Sequence, residues 1–278
     1  MTPKYLIIGG TGKTGRKVVE RLENLGESVR VGSRNANPPF DWENAKTWES
    51  ALEGIEKVYI TFQPDLAVPG AAKAIETLTK LAKNKGVKKL ILLSGKGERE
   101  AQRCEQIVVN SGLDFNIIRA SWFNQNFSES FFLDPILSGH VALPKYQAKV
   151  PYVDTNDIAD VVTEMLLHDT HNNNTFELTG PRTLTYPQVI AEIAKTTKRD
   201  IQFTPITLEA YTNMLKDMNV PEDFIWLIGY LFEEVMEAEG NNVTTNDVQN
   251  ILGRPPKDFS EYVQETAITG VWNPVTVN

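Results

Sequence analysis

The stretch that most narrows what this chain can fold into is residues 4–26, KYLIIGGTGKTGRKVVERLENLG. An apolar run that reads as a buried strand meets Gly9, Gly12 and Gly15. Val18, Val19, Leu22 and Leu25 then fall on one helical face, and Gly26 stands at the C-cap. Gly12-Lys13-Thr14 is the tail of a triphosphate-binding loop, whose full spacing is G-x-x-x-x-G-K-[ST]. That spacing requires a glycine where Ile7 stands, so the loop is too short to wrap a triphosphate. The spacing present, G-x-x-G-x-x-G between a strand and a helix, suits a dinucleotide turn. There the first N–H groups and the positive dipole end of the helix face a pyrophosphate.

Strand and helix patterns alternate through the first half. Apolar strands are expected at 4–9, 28–32, 57–62, 88–94 and 114–119, and helices at 14–25, 43–53, 67–84 and 98–111. Such alternation predicts an α/β fold with a doubly wound parallel sheet of Rossmann type, its ligands at the carboxyl ends of the strands. Beyond residue 120 the pattern loosens into the aromatic segment SWFNQNFSESFFLDPILSG, a helix in PYVDTNDIADVVTEMLL, a strand in NTFELTG and a helix after Thr185. The expected organisation is a nucleotide-binding domain of residues 1–121 and 150–180, with residues 122–149 and 181–278 forming a smaller, mostly helical cap over the substrate side.

Composition removes several classes. A net charge of −8 without a basic stretch argues against nucleic acid. No apolar run approaches a membrane span, and with a strand pattern starting at residue 4 no secretory leader is expected. One cysteine, Cys104, beside Ala101 and Val108 reads as core filler, and a cytoplasmic setting fits. His140, His168 and His171 have no metal-ligand spacing, so no metal is expected. The expected partner is a small-molecule substrate, with the chain a monomer or homodimer.

The second strand selects between cofactors. NAD sites carry Asp or Glu at its end to accept from the ribose 2′-OH. Here VRVGSRN offers no carboxylate before Asp41, and Ser33 and Arg34 stand instead. A guanidinium there pairs with a 2′-phosphate, and Lys13 adds a second cation. NADP(H) is therefore expected over NAD(H).

GGTGKTG, FDWENAKTW, VYITFQPDLAVPGA, LILLSGKGE, SGLDFNIIRASWFNQNFSE, DIADVV, FELTGP and GRPPKDFSEYV occur in this order along nearly the full chain. Together they resemble the NmrA-like branch of the atypical short-chain dehydrogenases/reductases, which includes bacterial NAD(P)H oxidoreductases and fungal ergot-alkaloid reductases. The resemblance implies that Gly9, Thr11, Gly12, Lys13, Thr14 and Gly15 line the pyrophosphate and Arg34 the 2′-phosphate. It puts Asp41 and Trp42 beside the adenine, and Phe62, Gln63 and Pro64 toward the cofactor's ribose or nicotinamide. Ser94, Gly95 and Lys96 take the place where the superfamily keeps its catalytic serine. Trp122, Phe123 and Phe127 would form an aromatic floor for a flat substrate, with Tyr152 on the same side.

One part of the pattern is missing. The superfamily's acid is a tyrosine with a lysine four residues later, but after Ser94 the chain reads GKGEREAQRCEQIVV. Glu98, Arg99, Glu100, Arg103 and Glu105 stand there and read as a solvated helix face. Two functions follow: a reductase of a quinone, imine or enal, with Ser94, Lys96 or water as proton source, or a non-catalytic redox sensor of NmrA type.

Overall fold

The computed structural model describes residues 3–274. In chain order its main elements are β1 (Tyr5–Ile8), α1 (Gly15–Asn24), β2 (Val29–Gly32), α2 (Trp48–Leu52), β3 (Lys57–Ile60), α3 (Ala71–Asn84), β4 (Lys89–Gly95), α4 (Ala101–Val109) and β5 (Asp114–Ala120). There follow α5 (Leu133–Ser138), β6 (His140–Leu143), α6 (Thr155–Leu167), β7 (Asn174–Leu178), α7 (Tyr186–Thr197), β8 (Gln202–Pro205), α8 (Leu208–Asp217), α9 (Glu222–Tyr230), α10 (Asp247–Leu252) and α11 (Phe259–Ile268). No helix among the described residues is long and apolar enough to cross a membrane.

The chain divides into two compact units. The first contains the chain up to Ala120, Thr155–Leu178 and Asp247–Arg254. Its six strands pair in parallel in the order β2-β1-β3-β4-β5-β7, with Tyr5 beside Val29 on one side and Lys57 on the other. Helices cover both faces, so the central strands β1, β3 and β4 carry apolar runs on both sides through their middles. Leu6, Ile8, Val58, Ile60, Leu90 and Leu92 face one core with Leu52, Leu78 and Val108 of α2, α3 and α4. The alternate residues Ile7, Tyr59 and Ile91 are equally buried toward the other face, which the strand's two-residue period requires.

The second unit is Ser121–Asp154, Thr179–Asn246 and the chain from Pro255. Its core is aromatic, with Phe127, Phe132, Tyr152, Tyr186, Phe232 and Trp272 almost wholly buried. Trp272 Nε1 donates to the Phe127 carbonyl at 2.8 Å, and Arg182 bridges Asp258 at 2.7 Å and Glu192 at 2.8 Å. Beside its helices this unit holds a two-stranded parallel sheet, β6 with β8, pairing His140 with Gln202 and Leu143 with Pro205. Each strand is four residues long, too short to declare a period among the surrounding helical patterns.

The division departs from the expected one in two ways. The second segment of the sheet unit is 155–178 rather than 150–180, and α10, expected in the cap, belongs with the sheet. Polar contacts hold that returning segment. The Asp247 carboxylate accepts from the Glu177 N–H at 2.8 Å. Arg254 then reaches back to α6, donating to Asp157 at 2.7 Å and also to Asp160, which Arg21 of α1 shares.

The Asp157 side chain is 1% exposed, so loss of its cation leaves a buried charge short of a partner. Arg254→Ala is expected to cost about 3 kcal/mol, the low end for orphaning a buried ion because the arginine itself is partly solvated. Arg254→Lys should recover only part, lacking the fork that spans two carboxylates. The check is the urea midpoint at unchanged m-value.

Candidate functional site

At the end of β1 the chain turns so tightly that two glycines have no alternative. Gly9 has φ +72°, and a Cβ on it would stand 2.0 Å from Thr61 Oγ1. A Cβ on Gly15, the first residue of α1, would stand 2.2 Å from the Gly9 carbonyl oxygen. These two glycines let helix and strand close on each other. Gly12 differs. A Cβ there would stand 3.2 Å from Gly9 O, a tight contact but without the overlap found at the other two glycines. Thr14 is buried and accepts from Tyr59 Oη at 3.0 Å, pinning the start of α1 to the sheet. Burial pushes the Tyr59 phenol well above its ordinary pKa, so this hydroxyl is a structural donor.

Beside the turn lies a cleft of about 320 Å³. Of the residues expected at a cofactor, Gly9, Thr11, Gly12, Ser33, Arg34, Asp41, Trp42 and Gln63 line it. Ile8, Gly32, Phe40, Glu43 and Thr61 complete the wall. Trp42 is held by its Nε1 on Thr61 O at 3.1 Å and by Phe40 and Phe62, whose rings lie at 5.0 and 4.6 Å. Phe62 therefore backs the cleft through Trp42. Lys13, Thr14, Gly15, Phe62 and Pro64 adjoin the cleft along the chain without lining it. Arg34 is exposed on the rim and makes no hydrogen bond or ion pair with any described residue. An open glycine turn, a helix N-terminus, an indole wall and an uncommitted guanidinium together fit a dinucleotide's adenosine and pyrophosphate.

The end of β4 carries a second polar group. Ser94 donates to Glu105 Oε1 at 2.6 Å, and Arg119 grips the same carboxylate, its Nη2 at 2.7 Å from Oε2. Arg119 continues to Glu177 at 3.6 Å, and Lys96 meets Glu177 at 3.4 Å. Ser94, Lys96 and Glu105 are buried. The Ser94 proton is thus already given to a carboxylate, which leaves Lys96 as the cation of the pair expected here.

Two expectations are corrected. Glu98 and Glu105 do not belong to a solvated face; they are 4% and 1% exposed. The helical phase of Ala101, Cys104 and Val108 in fact includes Glu105, and Arg119 from β5 makes its burial tolerable. Phe127 and Tyr152, expected against substrate, are packed in the second unit's core. Phe127 touches the rings of Phe132, Tyr152 and Phe259 at 5.2–5.8 Å and is fully buried. Burial also pushes the Tyr152 phenol far up, which removes it as an acid. Trp122 and Phe123 remain half-buried, Trp122 lying 5.7 Å from Phe232. Cys104 is buried core, its thiol pushed up to about 12 by burial and by the neighbouring acids Glu98, Glu105 and Asp65. No cluster of metal-ligating side chains occurs among the described residues.

The chain is similar to known proteins along nearly its whole length. The chain is 28% identical to prestalk A differentiation protein A of Dictyostelium discoideum, over 94% of this chain and 91% of the relative. It is 25% identical to an agroclavine dehydrogenase of Claviceps fusiformis, over 96% and 98%. Its fold matches the NADPH-dependent quinone oxidoreductase of Escherichia coli with a TM-score of 0.79 at 19% identity, over 94% and 99% of the two chains. Residues 9–169, more than half the chain and including the glycine turn, match a family model described as NAD(P)H-binding. The chain belongs to that NAD(P)H-binding family.

Proposed function

We propose that this protein is an NADPH-dependent oxidoreductase that reduces a small electrophilic or conjugated molecule of the quinone, imine or enal type. The observation that carries the reading is the uncommitted Arg34 on the rim of the glycine-turn cleft, where an NAD-selective site has an acid. Gly9, Thr11 and Gly12, with the start of α1, would hold the pyrophosphate. Ser33 and Arg34 would hold the 2′-phosphate, and Asp41 and Trp42 the adenine. The nicotinamide cofactor, when bound, supplies the hydride.

The protein's own contribution is placement. The Tyr-x-x-x-Lys acid is missing and the Ser94 proton is committed to Glu105. The chemistry that suits such a site is an electrophile that accepts hydride readily, its proton coming from water or from the Lys96 ammonium. Whole-length similarity to a dehydrogenase supports an enzyme over a sensor.

Gly12→Val should abolish NADPH binding in calorimetry, because a side chain at this turn blocks close approach of the pyrophosphate to the backbone; the circular dichroism spectrum checks that the fold accommodates the tight contact with Gly9 O.

Arg34→Ala should weaken NADPH about tenfold and NADH hardly at all, the value of a solvated charge-assisted contact. Equal losses with both cofactors would refute the 2′-phosphate role.

The substrate class is tested by NADPH oxidation against quinones, imines and enals. Lys96→Ala should lower turnover roughly tenfold to a hundredfold on accepted substrates, at or below the low end of a general-acid contribution. If no electrophile consumes NADPH, the sensor reading replaces this one, and the affinity ratio of NADP⁺ to NADPH becomes the measurement that matters.

A further inference from the structure

Glu105 and Arg119 do more than neutralise each other. Ser94 and Arg119 are paired neighbours on β4 and β5, so both side chains leave the same face of the sheet, where they meet Glu105 of α4. The guanidinium Nε lies 3.0 Å from Oε1 and 3.2 Å from Oε2, and Nη2 lies 2.7 Å from Oε2. Ser94 Oγ adds a further contact, 2.6 Å from Oε1. An arginine has only protons to give, and a carboxylate gripped on both oxygens has only lone pairs to offer. The hydroxyl has a single proton, so its direction is settled: it points at Glu105. What Ser94 keeps for any other partner is acceptor capacity, and no described residue donates to its Oγ.

This acceptor stands on the sheet edge that carries the cleft. β3 and β4 pair Ile60 with Leu92, so two residues further on Phe62 and Ser94 reach the same edge, with Gln63 of the cleft wall next in the chain. In the order β2-β1-β3-β4, the end of β4 is three strand spacings from the end of β2, about 14 Å at ~4.8 Å each. That is the span of an extended dinucleotide lying across the strand ends with its 2′-phosphate at Arg34. We propose, on the reading of the cleft as the cofactor's site, that Ser94 accepts from the nicotinamide carboxamide NH₂ and that Glu105 is the positioning residue that fixes it as an acceptor. Arg119, Glu105 and Ser94 then select a ring substituent that donates over one that only accepts.

The test is calorimetric binding of NADP⁺ and of 3-acetylpyridine adenine dinucleotide phosphate, which keeps the ring carbonyl but carries a methyl in place of NH₂. The readout is the ratio of the two dissociation constants, analogue over NADP⁺, in which a general loss of affinity cancels. Ser94→Ala should lower the ratio roughly three- to tenfold, the range for one hydrogen bond. Ser94→Thr, which keeps the hydroxyl, should stay near the wild type. In Glu105→Gln, Arg119 claims the amide oxygen and the amide NH₂ turns to Ser94, whose own proton is released toward the ligand. The ratio should then fall at least as far as in Ser94→Ala. Glu105→Leu combined with Arg119→Leu removes the buried pair without orphaning either charge, should also lower the ratio, and decides the matter if Glu105→Gln does not fold. An unchanged ratio in Ser94→Ala, with NADP⁺ still bound, would overturn the contact and leave the reading of the cleft intact. A ratio that falls there but in neither Glu105 variant would overturn the positioning role. Failure of the wild-type chain to bind NADP⁺ would remove the reading of the cleft and this inference together.

Discussion

The first unit depends on how closely α1 approaches the end of β1. A methyl group on Gly15 would overlap the Gly9 carbonyl, and one on Gly9 would overlap Thr61. With both positions bare, the helix starts directly above the strand end. Its N-terminus then lies beside the cleft lined by Gly9, Thr11 and Gly12. The neighbouring strands share the constraint, since Tyr59 on β3 holds Thr14 and Thr61 Oγ1 bonds the Ile8 carbonyl at 3.0 Å. The shape of the turn and the cleft beside it is a consequence of backbone packing.

The carboxyl end of the sheet also concentrates charge where water is scarce. Glu105, Arg119, Glu177 and Lys96 alternate in sign across β4, α4, β5 and β7. Such a chain is costly to desolvate and worth little as net stability, but it has few alternative arrangements, so it holds the ends of three strands in register.

Parts of this were legible in the residues. The strand, glycine turn and α1 follow from a local period and from sterics that act within a dozen residues. Arg34 at the end of β2 was readable for the same reason: its place depends only on where a short strand stops. The phase of Ala101, Cys104 and Val108 already included Glu105, yet a glutamate on an apolar face looks like the edge of a solvated one until its partner is known. That partner, Arg119, comes from the next strand.

What the sequence alone determined is therefore the order of strands and helices, the parallel sheet they imply, and the tight glycine turn between β1 and α1. Tertiary structure decided which polar and aromatic groups are withdrawn from chemistry. Phe127 and Tyr152 joined a core assembled from residues as distant as Phe259, and Asp157 was buried because Arg254, 97 residues on, returns to neutralise it. The reason is physical. Backbone period and glycine sterics are local, whereas the free energy of burying a charge or a ring is set by partners that only the completed fold supplies.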